Sequence, residues 1–358
     1  MMPGPCSLTR SLRFAVLTAS ALGSVSGYAS AQPPGDGSIA CGETVVEASA
    51  SSGTYTIRLA SNQALALRAR AGVQVDHHWV YSDEYPQHTL AVSEVVDGFG
   101  RAPQLAVTNH GRAGMPDLVY ILRSHEQPAF CEIQVELRNI SAKPVEVQTY
   151  RLLEVAGDPV VALGDNEAAN RVLSDSFSED RPNMRILDLF GPDQSVHRGV
   201  GIQLIYNRET KRSLFMGALT SDRWLTVLRL HADQAKSRVT AYDVDCTGTT
   251  ELTTENSLQD SPSEDRIELS LAVAPGAALT SERLLLGFSS DYHRQLESYG
   301  ELIRRLHHPR QIGPPPAGWW SWTAYYFGLT EGTAITNSEV LSGKLKDFGY
   351  DYFHIDEG

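Results

Sequence analysis

From Ala40 to about Phe288, short runs of β-branched and aliphatic residues recur between Gly, Asn, Asp and Pro signals, and no convincing long helical period interrupts them. That pattern confines the segment to antiparallel sheets. The clearest strands are predicted at Thr54–Leu59, Ala64–Ala69, Leu118–Leu122, Cys131–Asn139, Val145–Val155, Gly201–Tyr206, Ser213–Ala218, Trp224–Leu230, Arg238–Tyr242 and Arg266–Val273. Within them Cys131, Ile133, Val135 and Leu137 alternate with Glu132, Gln134 and Glu136, which predicts one buried face and one wet face. Asn207 to Thr210 predicts a hairpin turn, and Asn139 to Pro144 another connection. No internal repeat at a fixed period is present, so two stacked sheets, a large antiparallel β-sandwich over 40–289, are expected rather than a propeller or solenoid.

The chain has 358 residues, enough for about two domains. Its first 31 residues form a separate object. Arg10 and Arg13 precede an apolar stretch from Phe14 to about Val25, and Ala29-Ser30-Ala31 offers a cleavage site, as a secretory signal peptide requires. The apolar stretch is too short and too rich in Ser and Thr for a membrane span, and Cys6 lies ahead of it, outside any lipoprotein cleavage position. Export to the periplasm or the exterior is therefore expected. A flexible Pro/Gly-rich leader is expected over 32–39.

Lys and Arg number 30 against 43 Asp and Glu, a formal charge of -13. That surplus argues against nucleic acid and anionic lipid as partners and leaves neutral ligands. Cys41, Cys131 and Cys246 remain after signal removal, far apart and without C-x-x-C spacing. Either one disulfide with an odd thiol or buried free cysteines would fit. No metal site is expected, because His77-His78 and His307-His308 are adjacent rather than one helical turn apart, and Asp165-Asn166-Glu167 reads as a polar loop before a calcium site.

The texture changes after Phe288. Tyr292, Leu296, Tyr299, Leu302, Ile303 and Leu306 fall on one helical face, Ser290 or Asp291 can cap it, and Pro309 ends it. This helix with the Gly313-Pro314-Pro315-Pro316 spacer is predicted to link two domains over 290–313. From 314 the sequence predicts a strand Gly318–Trp322, a helix after Thr330 striped by Leu341, Leu345 and Phe348, an αL stop at Gly349, and a second strand Tyr350–Ile355. Strand, helix, strand demands a parallel sheet, which one such unit cannot complete, so the chain is expected to be a fragment.

Aromatic residues crowd this segment. Alternation along a strand would place Trp320 and Trp322 on one face and Trp319 on the other. Aromatic faces stack on the C–H side of a sugar ring, and Trp322, nearest the carboxyl end, is the leading binding candidate. Trp319, Tyr325 and Tyr326 are candidate subsite lining, while Trp319 and Trp320 equally suit core packing. Asp356 and Glu357, at the end of the second strand, could grip neighbouring sugar hydroxyls or cap a following helix.

Pro316-Ala317-Gly318-Trp319-Trp320-Ser321-Trp322, then Tyr325-Tyr326, Leu329-Thr330-Glu331, and the run from Asp347 to Gly358 together resemble the opening of the catalytic barrel in α-galactosidases of glycoside hydrolase families 36 and 27. The sandwich ahead of it looks like family 36. The motif-level resemblance spans only the segment after the spacer. It implies a multidomain protein, a β-sandwich followed by the start of a (β/α)8 TIM barrel, and a retaining exo-glycosidase acting on terminal α-galactosyl groups without a cofactor. It maps the galactose-lining Trp onto Trp322 and the hydroxyl-gripping acidic pair onto Asp356 and Glu357. The nucleophile and acid/base implied by the family lie on later barrel strands, so no catalytic residue is expected in this chain, which alone should be inactive. The family usually reads Asp-Asp-Gly where this chain has Asp356-Glu357-Gly358, and the extra methylene would push a carboxylate about 1.5 Å further into the subsite. Two other readings stay open, a non-catalytic carbohydrate-binding or scaffold protein and a galactosyl-transferring enzyme of the same fold. A homo-oligomer is compatible with all three.

Overall fold

The computed structural model describes residues 36–156, 161, 163–175, 184–192, 195–248, 269–310, 313 and 315–356. The expected signal peptide, the first half of the leader, the first part of the expected strand Arg266–Val273, and Glu357 lie outside the described residues.

Two ten-stranded sheets stack face to face. Across the first, neighbouring strands run in the order Gly37–Cys41, Thr44–Ser49, Thr54–Leu59, Asn62–Val75, Val145–Ala156, Arg238–Thr247, Leu225–Asp233 and Val196–Val200. His78–Tyr81 pairs with Asn62–Val75 in this sheet, and Leu271–Val273 with Val145–Ala156. The second runs Met184–Asp188, Asn170–Asp175, Ile202–Asn207, Ser213–Ala218, Leu284–Ser289, Ala129–Arg138, Asp117–Glu126, Gly100–His110 and Gln87–Asp97, with Ala278–Thr280 beside Ala129–Arg138. Every pairing in the two sheets is antiparallel. The first strand begins at Gly37, ahead of the Ala40 suggested by the sequence.

The space between the sheets is filled by the inward residues of both, among them Ile57, Leu67, Val73, Leu122, Ile133, Leu137, Val147 and Leu286. Two buried tyrosines cross it with their hydroxyls bonded to backbone carbonyls, whereas the Tyr242 hydroxyl, also in this core, has no hydrogen-bond partner among the described residues. Tyr55 donates to the Leu152 carbonyl at 2.6 Å and Tyr120 to the Thr54 carbonyl at 2.8 Å, and their rings meet at 5.3 Å. Cys41 and Cys131 form a disulfide between the two sheets, while Cys246 is buried and free. The Asn207 turn forms as expected. Its Oδ1 accepts from the Glu209 and Thr210 amides at 3.0 Å each, and Lys211 takes a positive φ of 62°.

One expectation fails inside Ala129–Arg138. Glu132 is not wet; it is 1% exposed. Arg123 and Arg283 reach it from the neighbouring strand and from the residue before Leu284–Ser289, and His125 completes the cluster, so paired charge replaces water on that face.

The helix Tyr292–His307 begins where Asp291 accepts from the His293 and Arg294 amides. Its apolar face does more than link. Tyr292, Leu296, Tyr299, Leu302 and Ile303 pack against Leu204, Phe215 and Leu285 on the outer face of the second sheet, which explains why Ile202–Asn207 is buried along its whole length. Tyr299 donates to the Ala218 carbonyl at 2.6 Å, and burial pushes its phenol up to about 12. Gly217 leaves room for that ring: a Cβ there would lie 2.8 Å from Tyr299 Cε2.

Beyond the spacer, Gly318–Trp320 pairs in parallel with Tyr352–His354, register Gly318 to Tyr352 and Trp320 to His354. Both strands are shorter than the sequence suggests. Between them Thr330 caps the helix Glu331–Val340, which widens into a π turn at Leu341–Leu345 and then tightens into a 3-10 turn at Lys346–Phe348 before Gly349 stops it at φ 86°. Of the expected stripe only Leu341 is buried; Leu345 and Phe348 are exposed. Changing from α to wider and then narrower turns rotates those two off the face set by Leu341. Among the described residues no helix is long and apolar enough to cross a membrane.

Candidate functional site at the ends of the parallel strands

Ser321 decides the local geometry. It is fully buried, its amide donates to the His354 carbonyl at 3.1 Å, and its Oγ accepts the Asp356 amide at 3.0 Å. With φ -68° and ψ -36° it has already left the strand, so Trp322 opens a short helix, Trp322–Tyr325. The predicted face shared by Trp320 and Trp322 does not exist. Trp322 packs edge-on to Tyr326 and Phe327, at 5.3 and 4.9 Å between ring centres.

Trp320 takes the place expected of Trp322 beside the acidic end. Its indole N–H donates to Asp356 Oδ2 at 2.8 Å, joining the carboxyl ends of the two strands. Trp319 points to the other side and stacks on Phe353 at 4.4 Å, with planes 13° apart. Tyr325 stands 6.1 Å from Trp319 and its hydroxyl accepts from Asn337 at 3.0 Å. Tyr326 has a positive φ of 50° and is exposed. The structure thus brings Trp320 and Asp356 together, places Trp319 and Tyr325 on the other side of the strand pair, and groups Trp322 with Tyr326. The signal that sequence reasoning missed was the small residue Ser321, whose hydroxyl can both end a strand and bond the neighbouring one.

Chemically, the pair offers a half-exposed indole hydrogen-bonded to a carboxylate. An aromatic plane for sugar C–H groups and an acceptor for hydroxyls then lie within one residue's reach.

One histidine of each adjacent pair bonds a backbone carbonyl. His307 donates to the Leu219 carbonyl at 2.7 Å, and His78 Nδ1 lies 2.7 Å from the Asp76 carbonyl. Asn166 caps the turn Glu167–Ala169 through the Ala168 amide. A separate group, Asp97, His125 and Glu132, brings potential ligand atoms within 4.8 Å of one another. Its carboxylates are already engaged by guanidinium groups, Arg283 with both and Arg123 with Glu132. Burial would raise the Glu132 carboxyl, but hydrogen bonds from His125 and Arg283, with the charges of Arg283 and Arg123, hold it down to about 2. A cation would have to displace two arginines, so this cluster is an ion network of the sheet.

No protein-family model and no curated protein matches the chain. Solved structures do. An α-galactosidase from Lactobacillus brevis superimposes with TM-score 0.54 at 12% identity, over 90% of this chain and 48% of that one. The family 36 α-galactosidase AgaA of Geobacillus stearothermophilus, in complex with 1-deoxygalactonojirimycin, gives 0.53 at 11% identity, over 90% and 50%. A further variant of AgaA, in complex with raffinose, gives 0.52 at 11%, over 86% and 48%. The likeness is one of fold. The two sheets correspond to the amino-terminal β-sandwich region of family 36, and the chain spans about half the length of these structures.

Proposed function

We propose that this chain supplies the sandwich and the first strand–helix–strand unit of an exported, retaining exo-glycosidase of the α-galactosidase type. The observation that supports it is the hydrogen bond from Trp320 to Asp356 at the carboxyl ends of two parallel strands, the end at which barrel enzymes assemble their sites. The large apolar side chains left open in this strand–helix–strand unit, Phe327, Phe348 and Tyr352, are those that further strands and helices of a barrel would cover.

In this reading Trp320 and Asp356 hold the terminal sugar, with Glu357 beside them. A carboxylate from a later strand attacks the anomeric carbon, a second carboxyl protonates the leaving oxygen, and water then releases the sugar from the covalent intermediate. Those two groups are assigned to no residue described here. Binding by this chain and bond cleavage by the complete barrel are thus separate properties.

The test is the complete gene product on p-nitrophenyl α-D-galactopyranoside and p-nitrophenyl β-L-arabinopyranoside, with the anomer of the released sugar followed by proton NMR. Hydrolysis with net retention is expected. No turnover of either glycoside, or inversion, overturns the assignment.

A further inference from the structure

The first sheet has a second polar concavity, far in sequence from Trp320. Along Arg238–Thr247 alternation sends Val244 and Cys246 into the core and Asp243, Asp245 and Thr247 to the opposite face. That face carries a cavity of about 400 Å3, within the range of roughly 300–1,000 Å3 common for small-molecule sites.

Its floor is a charged lattice. Arg151 donates from Nε and Nη2 to the two oxygens of Asp245 at 2.7 and 2.9 Å, and Arg229 Nη1 reaches Asp243 at 2.8 Å and Asp245 at 2.9 Å. Asp245 is only 4% exposed and Arg229 8%. Arg151 also bonds Glu154, which is in turn paired with Arg70, so three guanidinium groups face three carboxylates and the lattice has dense donors and acceptors but little net charge to attract an ion. An ionic ligand would have to break a buried pair. A hydroxyl, donor and acceptor at once, can add to the edges of such pairs without breaking them.

The rim supplies what an uncharged polyol lacks in charge. Trp79 stands at one side, held by the Arg151 guanidinium 4.6 Å from its ring centre and by Tyr81 lying nearly parallel at 5.7 Å. Gly72, opposite Tyr81 in register, keeps this wall close to the sheet, since a Cβ there would fall 2.8 Å from Tyr81 Cδ1. Thr149 and Thr247 present hydroxyls 3.4 Å apart, and the Gln74 carboxamide makes no hydrogen bond among the described residues. Aromatic wall, spare amide and paired hydroxyls over a neutral ionic floor suit a ring with one C–H side and several adjacent hydroxyls.

We propose that this groove binds a neutral pyranose unit, at a sugar site on the sandwich separate from the Trp320–Asp356 pair. It does not depend on the chain being part of a hydrolase.

The experiment is calorimetric titration of the 358-residue chain with methyl α-D-galactopyranoside and methyl α-D-glucopyranoside, with tryptophan fluorescence recorded in parallel. In the Trp320→Ala background, which removes the strand-end pair as a second sugar site, saturable binding of at least one glycoside is expected, weakened by at least about tenfold on adding Gln74→Ala/Thr247→Val. The fluorescence response should vanish in Trp79→Phe, a variant that keeps a ring in the wall should the double variant fail to fold. No saturable binding of either glycoside overturns the proposal. So does binding that withstands the groove substitutions or is abolished by Trp320→Ala.

Discussion

Trp320 and Asp356 are joined by a 2.8 Å hydrogen bond although Trp322 stands closer in sequence to the acidic end. The bond exists because Ser321 turns the chain one residue earlier than strand alternation suggests. An indole fixed in this way arrives at a ligand already oriented, so less rotamer freedom is lost on binding.

Its removal should therefore be felt as lost affinity. In the complete enzyme Trp320→Phe keeps an aromatic surface but loses the N–H, and should raise KM for p-nitrophenyl α-D-galactopyranoside by roughly tenfold, the worth of a hydrogen bond to a charged group. Trp322→Phe should change KM by less than about threefold. Steady-state kinetics of the two variants separates the two tryptophans, and the reverse order would return the subsite to Trp322.

Glu357 bears on which sugar fits. Its extra methylene relative to Asp should crowd the C6 hydroxymethyl of galactose, so Glu357→Asp is expected to raise the ratio of kcat/KM for galactoside over β-L-arabinopyranoside by about tenfold, the scale of one methylene in a pocket. An unchanged ratio on matched p-nitrophenyl glycosides removes this account.

Acid should find the Glu132 cluster. A folded-state carboxyl at about 2 against an ordinary value near 4.5 stabilises the fold fully above the latter, and this contribution is lost as pH falls from about 4.5 towards 2. The amount at stake is roughly 3 kcal/mol. Melting temperature should fall steeply over that window. In Glu132→Gln the fall should be shallower, from a lower starting stability, because Arg123 and Arg283 lose their shared partner.

The bridge between Cys41 and Cys131 closes a loop of 90 residues in sequence separation. Replacing both by Ala should lower the stability read from urea unfolding by about 2–5 kcal/mol. Burial pushes the Cys246 thiol well up, so protein lacking residues 1–31 should show no reactive thiol when native and one when unfolded. Titration with Ellman's reagent counts them.

Much of the sandwich could be read from the chain because alternation is a two-residue signal. Thr54–Leu59 and Ser213–Ala218 have the bounds that their patterns predict. Gln87–Asp97 escaped notice because it lies at the end of the second sheet and most of its residues are exposed, so no apolar period marks it. Leu284–Ser289 escaped for the opposite reason: buried along nearly its whole length, it is apolar on both faces and has no alternation. Glu132 was misread because a buried ion cluster and a wet face use the same letters. At the candidate site, residue types suggested Asp356 and the aromatic strand, but a single hydroxyl at Ser321 chose which tryptophan meets the acid. The groove around Asp245 gave no local signal, since its parts come from strands scattered between Gln74 and Thr247.

The helix Tyr292–His307 has a mechanical consequence. Because Leu302 and Tyr299 seat it on the second sheet, the leash to the aromatic strand starts at His307 on a rigid body and not at the end of Leu284–Ser289. Thermal motion of the sandwich is therefore handed directly to the spacer's first residue. Any swing of the aromatic strand relative to the sheets must begin beyond this seated helix, whose last turn His307 ties to the Leu219 carbonyl.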